Sequence, residues 1–164
     1  MPNRTYSFIN EREGQIDFYN TILPRIDPNI EIDDILADYN DGVLNGNLLE
    51  FKLSISNLNE HLFQCIKYLS KLRINGKPVP ANILIIDLSR ATVRIYDSEP
   101  YLEAIEVVYI GGASRNNQNF TGGDNPIKTL RYDDDTDTEE LIELLRENRF
   151  TKINRRYINP PYYN

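Results

Sequence analysis

The sequence predicts an α/β domain in which helices pack against a mixed β-sheet. Three observations indicate this class. Asn45-Gly46 is a strong hairpin signal between two apolar stretches, a continuous apolar run occupies residues 81–88, and helix-start signals precede both regions. The predicted order of helix, strand, hairpin, helix and strand is typical of packed α/β layers.

The composition is that of one folded domain of 164 residues. Hydrophobic residues make up 40% of the chain, which is enough to fill a core. The single cysteine, Cys65, excludes a disulfide within the chain and a multi-cysteine zinc site, and it favours a reducing cytoplasm. The sequence shows neither an apolar signal segment nor an apolar run long enough to span a bilayer. We therefore expect a soluble, cytoplasmic protein with no membrane partner.

The net charge of -7 argues against a simple nucleic-acid-binding module, which is usually basic. The charge is unevenly distributed, however. Between residues 49 and 80 the only acids are Glu50 and Glu60, while many of the other acids lie at residues 133–140. The basic residues of that same segment are Lys52, Lys67, Lys71, Arg73 and Lys77. Local potential can therefore differ in sign from the net charge.

The first helix is predicted to begin after Asn10, with Glu13 completing a capping box, and to end at Pro24. Its apolar residues at helical spacing are Ile16, Tyr19, Ile22 and Leu23. A turn at residues 27–29 then leads into residues 29–39, which we expect to be extended. Asp33, Asp34 and Asp38 lie in or next to this segment. They are alternatives to Asp41, at the start of the hairpin, as carboxylate ligands of a metal ion.

The hairpin at Asn45-Gly46 creates a pair of facing carboxylates. A type I′ turn needs positive φ at both central residues, which Asn and Gly tolerate best. With a two-residue loop, Asp41 lies directly opposite Glu50. Like charges in that position destabilise a sheet, so a bound cation would remove the penalty.

The second strand of the hairpin separates apolar from charged residues by its alternation. Leu49, Phe51, Leu53 and Ile55 are predicted on one face, and Glu50, Lys52 and Ser54 on the other. Asp41, Glu50 and the Phe51 carbonyl would suit a hard divalent ion such as Mg²⁺, with Mn²⁺ as an alternative. Lys52 would orient an attacking water or stabilise charge on a phosphate. The simpler alternative is a solvated Glu50–Lys52 ion pair on an exposed strand.

The clearest helix is predicted to start at the Asn57–Glu60 capping signature and to end near Asn75-Gly76. One stripe carries Leu62, Ile66, Leu69 and Arg73, of which the first three should pack inward, and a second carries His61, Gln64 and Tyr68. Gln64 and Tyr68 belong either to the site or to the edge of the core, and His61 is expected at the surface or boundary. Lys67 and Lys71 are expected on a solvated face, where they could contact phosphates.

The rest of the chain is less informative. Residues 81–88 read as a strand buried on both faces, and residues 92–96 as its neighbour. A short helix is expected to begin at Asp97 and end near residue 106, followed by a strand at residues 107–110 and a loop at residues 111–125. The acidic run at residues 133–137 should precede a helix at residues 138–148. Asn159-Pro160-Pro161-Tyr162 resembles the catalytic motif of adenine-N6 methyltransferases, but a glycine-rich cofactor turn is not visible, so we interpret the match as coincidental.

The residues around the hairpin resemble the PD-(D/E)xK nuclease superfamily. Asp41 occupies the first acidic position and Glu50-Phe51-Lys52 forms the E-x-K element, with Asn40 where the family has proline. The segments Leu-Leu-Glu-Phe-Lys-Leu and Leu-Phe-Gln-Cys-Ile-Lys-Tyr-Leu-Ser resemble the N-terminal nuclease module of bacterial restriction-modification proteins in which nuclease and DNA methyltransferase share one chain. Gln64-x-x-x-Tyr68 is similar to the Q-x-x-x-Y element of the RecB-like branch.

This resemblance implies a restriction-endonuclease-like core at residues 1–112, with a C-terminal extension at residues 113–164 that could link to a further domain. It implies a Mg²⁺-dependent DNA endonuclease acting on double-stranded DNA, as a homodimer or beside a fused methyltransferase. The implied catalytic residues are Asp41, Glu50 and Lys52, the metal ligands are Asp41, Glu50 and Phe51, and the supporting residues are Gln64, Tyr68 and Glu13. The alternatives are a catalytically inactive nuclease-like module for DNA binding or assembly, and an acidic protein-interaction domain.

Overall fold

The computed structural model of the protein describes residues 5–31, 33, 42–101 and 123–151. Its elements in chain order are α1 (Glu11–Ile26), β1 (Val43–Leu44), β2 (Asn47–Lys52), α2 (Leu58–Ile74), β3 (Asn82–Asp87), β4 (Thr92–Asp97), a 3₁₀ helix (Glu99–Tyr101), β5 (Lys128–Arg131) and α3 (Asp135–Arg146). The α/β class predicted from the sequence is confirmed.

The five described strands form one mixed sheet in the order β1-β2-β3-β4-β5. Strands β2 and β3 are parallel and are connected through α2, whereas the other neighbouring pairs are antiparallel. In the parallel pair, Lys52 lies beside Asp87 at the carboxyl ends of both strands. The polar residues that end β2 and β3 therefore meet at one edge of the sheet.

The predicted hairpin is confirmed. Asn45 and Gly46 have φ values of 48° and 76°, and Leu44 pairs with Asn47. The Leu49 amide donates to the Gly42 carbonyl at 3.0 Å, which continues the predicted register by one more pair. Gly46 is required for a second reason, because a Cβ on this residue would collide with the backbone of Arg149.

Alternate strand residues divide the core between the two faces of the sheet. Within β3, Leu84 and Ile86 pack with α1 and α3, whereas Ile83 and Ile85 pack with α2. All six residues of the strand are buried. The prediction of a strand buried on both faces is confirmed, and the described fold is a helix–sheet–helix sandwich.

Helix α1 begins where the sequence predicts but ends later. The Asn10 side chain accepts a hydrogen bond from the Glu13 amide at 2.9 Å, and the Glu13 carboxylate accepts from the Ile9 amide rather than from Asn10. Pro24 lies inside the last turn, and the helix continues to Ile26. Of the apolar residues at helical spacing, Tyr19, Ile22 and Leu23 are buried, whereas Ile16 is 39% exposed.

Helix α2 matches its prediction closely. The Asn57 side chain accepts from the Glu60 amide at 3.1 Å, and the helix ends at Ile74, directly before Asn75. Leu62, Ile66 and Leu69 are fully buried against the sheet, and Arg73 is also buried.

Two predictions about extended segments are wrong. Strand β2 ends at Lys52, so Leu53 is 37% exposed and Ile55 packs on the α2 side instead of beside Phe51. The chain turns there because the Ile55 amide donates to the Asp87 carboxylate at 3.2 Å. The expectation that residues 29–39 are extended is wrong at Asp33, which is helical, while residues 32 and 34–39 lie outside the described residues.

The C-terminal part contains a strand that the sequence did not reveal. Strand β5 pairs with β4 and buries only Leu130, so its alternation is weak. Helix α3 starts at Asp135, earlier than predicted, because Asp134 caps it by accepting from the Asp137 amide at 2.9 Å. Leu130, Leu141, Ile142 and Leu145 join the same core as α1.

Residues 128–146 therefore complete the core of the described domain. The predicted boundary near residue 112 stays a prediction. The predicted strand at residues 107–110, the parts of the predicted short helix and loop that fall at residues 102–106 and 111–122, and the Asn159-Pro160-Pro161-Tyr162 motif lie outside the described residues.

Candidate functional site

A polar cavity lies on the α2 side of the sheet, between β2 and the helix. Its volume is ≈ 350 Å³. The residues that line it are Glu50 and Lys52 from β2, and Gln64, Lys67, Tyr68 and Lys71 from α2. The structure thus brings together four of the predicted site residues, which are separated by up to eighteen positions in the sequence.

Secondary-structure periodicity explains why these side chains converge. Glu50 and Lys52 are two positions apart on β2, so both lie on the same face of the strand. Gln64 is followed by Lys67 and Tyr68 at spacings of three and four, and Lys71 follows these two at four and three, which places all four on one side of α2. Because α2 packs over this face of the sheet, this side of the helix and the strand residues enclose the cavity.

The Glu50 carboxylate is held between two side chains. The Lys52 ammonium lies 3.9 Å from one oxygen, and the Cys65 thiol donates to the other at 3.8 Å. The side chains of Glu50 and Lys52 are only 12% and 27% exposed. This burial argues against the simpler alternative of a solvated surface ion pair. The 3.9 Å separation is longer than a hydrogen bond, so the carboxylate retains lone pairs for another cation.

The Phe51 carbonyl is directed away from β3. The Leu88 amide donates to the Lys52 carbonyl at 2.9 Å, and the Asn82 amide donates to the Gly46 carbonyl at 3.3 Å. Carbonyls alternate in direction along a strand, so the Phe51 carbonyl points towards the β1 side. This is the side on which Gly42 pairs with Leu49, and it is also the side predicted for Asp41.

Asp41 itself lies outside the described residues, as do the rival carboxylates Asp34 and Asp38. Within the described ranges, no group of three or more His, Cys, Asp or Glu side chains could hold a metal ion. The Glu50 carboxylate and the Phe51 carbonyl are oxygen donors of the type that Mg²⁺ takes, and this ion often uses only one or two protein carboxylates with water and phosphate oxygens. These donors fit part of such a site, and the second predicted carboxylate remains a prediction.

Glu13 serves the cap of α1. It is exposed, its carboxylate accepts from the Ile9 amide at 3.4 Å, and α1 packs on the face of the sheet opposite Glu50. Glu13 therefore caps the start of α1 through Ile9 rather than through Asn10, whereas its supporting role at the site stays a prediction.

His61 is half-buried on α2, on the side of the sheet that carries the cavity. The sequence predicted such a surface or boundary position. Both ring nitrogens are buried and lack a hydrogen-bond partner among the described residues. Burial lowers the pKa of His61 below its ordinary value, the nearby Lys52 charge lowers it further, and Glu60 partly opposes the shift. Burial at this position therefore favours the neutral imidazole.

Two residues that position the site were missed by sequence reasoning. Cys65 contacts the Glu50 carboxylate, and Asp87 accepts hydrogen bonds from the Ile55 amide, the Ser89 hydroxyl and the Arg90 amide. Asp87 is 2% exposed, so these bonds fix the chain that leaves β2. Two features of the sequence could have indicated these residues. Cys65 follows Leu62 of the buried stripe at helical spacing, and Asp87 lies at the end of an apolar strand.

No family model matches this chain, and neither the curated proteins nor the solved structures provide a match. In the part of the chain that the structure describes, no helix is both long and apolar enough to cross a membrane. The function of the protein is therefore inferred from the geometry of the cavity.

Proposed function

We propose that the chain is a Mg²⁺-dependent DNA endonuclease of the PD-(D/E)xK type, acting in the cytoplasm as the cleavage domain of a restriction-modification protein. The observation that carries this proposal is the convergence of Glu50 and Lys52 with Gln64 and Tyr68 in one cavity. A half-buried carboxylate beside an ammonium group, under a helix that presents further polar side chains, suits hydrolysis of a phosphodiester.

Each site residue has a distinct role in this proposal. Asp41, Glu50 and the Phe51 carbonyl would hold the ion. When bound, Mg²⁺ would supply polarisation of the scissile phosphate. Lys52 donates a hydrogen bond that positions the attacking water or stabilises charge developing on the phosphate. Cys65 fixes the rotamer of Glu50 through its thiol contact.

Gln64 and Tyr68 lie along the wall of the cavity formed by α2, where they would orient the DNA strand. A single site cuts one strand at a time. Cleavage of both strands of a duplex would therefore need a second copy of the chain, which makes a homodimer on DNA part of the proposal.

Plasmid cleavage with and without Mg²⁺ tests this function. The variants Asp41→Asn, Glu50→Gln and Lys52→Gln should each reduce cleavage by at least about 100-fold, because each removes a charge that acts on the phosphate or the ion. Lys77→Gln is the matched control, since Lys77 is exposed and does not line the cavity. Thermal unfolding of each variant tests whether it is folded. Cutting by all three site variants at the rate of the parent would refute the proposal.

A nuclease-like module that binds DNA or assembles without cutting it is the second candidate. It is favoured by the net charge of -7. Calorimetric titration with Mg²⁺ or Mn²⁺ separates the two functions. The endonuclease should give binding heat that is lost in Glu50→Gln and kept in Lys77→Gln, whereas the inactive module should give only the heat of dilution.

A further inference from the structure

The cavity has an excess of positive charge in an acidic protein. Lys52, Lys67 and Lys71 line it together with a single carboxylate, Glu50, while the whole chain carries a net charge of -7. Among the described residues, neither Lys67 nor Lys71 forms an ion pair with a carboxylate. Within the described ranges two cations are therefore left for a ligand, and local potential favours an anion here.

The arrangement of the two helical lysines suits an extended anion. Lys67 and Lys71 are four positions apart on α2, so their backbones are separated by roughly 6 Å along the helix axis. Lys67 is half-buried and Lys71 is exposed, so the charge extends from the cavity towards the surface. A compact ion such as inorganic phosphate would engage one end of this row, whereas a polymer of phosphates would follow its length.

Tyr68 adds an aromatic surface to the same wall. It is half-buried and lies next to Lys67 in the lining of the cavity. Lysines that follow a backbone, combined with an aromatic side chain on which a base can stack, are the usual features of grooves that bind one nucleic-acid strand.

We infer that Lys67 and Lys71 form a phosphate-binding row on α2 that holds the DNA strand next to the scissile phosphate. The row binds backbone phosphates without reading bases, so it contributes affinity rather than sequence specificity. The identification of the polyanion as DNA rests on the proposed endonuclease function, whereas the positive row itself rests on the cavity lining.

Salt-dependent DNA binding by the full chain, without divalent ions, tests the row separately from cleavage. The probes are a fluorescently labelled duplex and one of its single strands, measured by anisotropy over a range of NaCl concentrations. Each lysine that neutralises a phosphate contributes about one unit to the slope of log affinity against log salt. The double variant Lys67→Gln/Lys71→Gln should therefore reduce the magnitude of this negative slope by about two.

Two controls sharpen this measurement. Lys67→Arg/Lys71→Arg keeps both charges and should keep the slope of the parent. Lys77→Gln removes an equal charge outside the cavity and should leave the slope unchanged. Inorganic phosphate should compete poorly with the labelled DNA, because it cannot span the row. Efficient displacement by inorganic phosphate would instead identify a site for a single anion and overturn the inference.

The outcomes separate this inference from the proposed function. If the parent cuts plasmid with Mg²⁺ but the double glutamine variant keeps the salt slope, the row is refuted and the endonuclease stands. If the parent binds DNA with the expected slope change but never cuts, the row stands and the endonuclease fails. If the parent binds neither the duplex nor the single strand at low salt, the row is refuted.

Discussion

The two faces of the sheet differ in how they use the same strand. On the α1 side, Phe51 packs edge-to-face against Phe18 and Tyr19, with ring centroids 5.3 and 5.4 Å apart. On the α2 side, the neighbouring residues Glu50 and Lys52 line an open polar cavity. Adjacent positions of β2 thus serve the core and the candidate site.

This difference shows how a small domain can hold charges at a partly buried position. The aromatic contacts on the α1 side are worth about 0.5–1.5 kcal/mol per pair beyond the area that they bury. They fix the backbone of β2, so the direction of Glu50 and Lys52 follows from the strand itself. The α2 side supplies the remaining constraints through Cys65 and Asp87.

The comparison predicts the largest effect on stability at Phe51. Phe51→Ala should lower the free energy of unfolding by about 3–5 kcal/mol, because it empties the centre of an aromatic cluster. Lys52→Ala, one position away, should cost less than about 1 kcal/mol. Urea unfolding of both variants measures the difference. Equal destabilisation by the two substitutions would show that the faces do not divide core from site.

A smaller effect is expected at the hairpin turn. Gly46→Ala introduces a Cβ at positive φ, which costs about 1–2 kcal/mol, and the new atom also collides with the Arg149 backbone. Gly76→Ala is the matched control, since Gly76 has a φ of 70° but an added Cβ there would meet no other atom within 4 Å among the described residues. Gly46→Ala should therefore unfold at lower urea than Gly76→Ala. Indistinguishable midpoints would mean that the Arg149 contact adds nothing.

The smallest expected effect is the pH dependence of stability at His61. Because the pKa of His61 in the folded chain is below its ordinary value of 6.5, the unfolded chain takes up a proton first as the pH falls. The free energy of unfolding of the parent should therefore decrease, relative to His61→Gln, from about pH 6.5 down to the folded pKa. Urea unfolding over this range tests the prediction, and parallel pH profiles for the two proteins would contradict it.

Local rules predicted much of the candidate site. The Asn45-Gly46 turn set the register of the hairpin, alternation placed Glu50 and Lys52 on one face, and helical spacing placed Gln64 and Tyr68 on one stripe. The same rules missed β5, because its four residues bury only Leu130 and resemble a polar loop. They also extended the alternation beyond Lys52, where a hydrogen bond to Asp87 turns the chain.

The sequence by itself determined the turn type, the helix caps and the division of β2 into an apolar and a charged face, because each depends on residues within a few positions of one another. Only the tertiary structure decided that Cys65 contacts Glu50, that Lys67 and Lys71 line the cavity, and that the Arg149 backbone occupies the space a Gly46 side chain would need. These contacts join distant segments, so they depend on the order in which strands and helices pack, which no local pattern encodes.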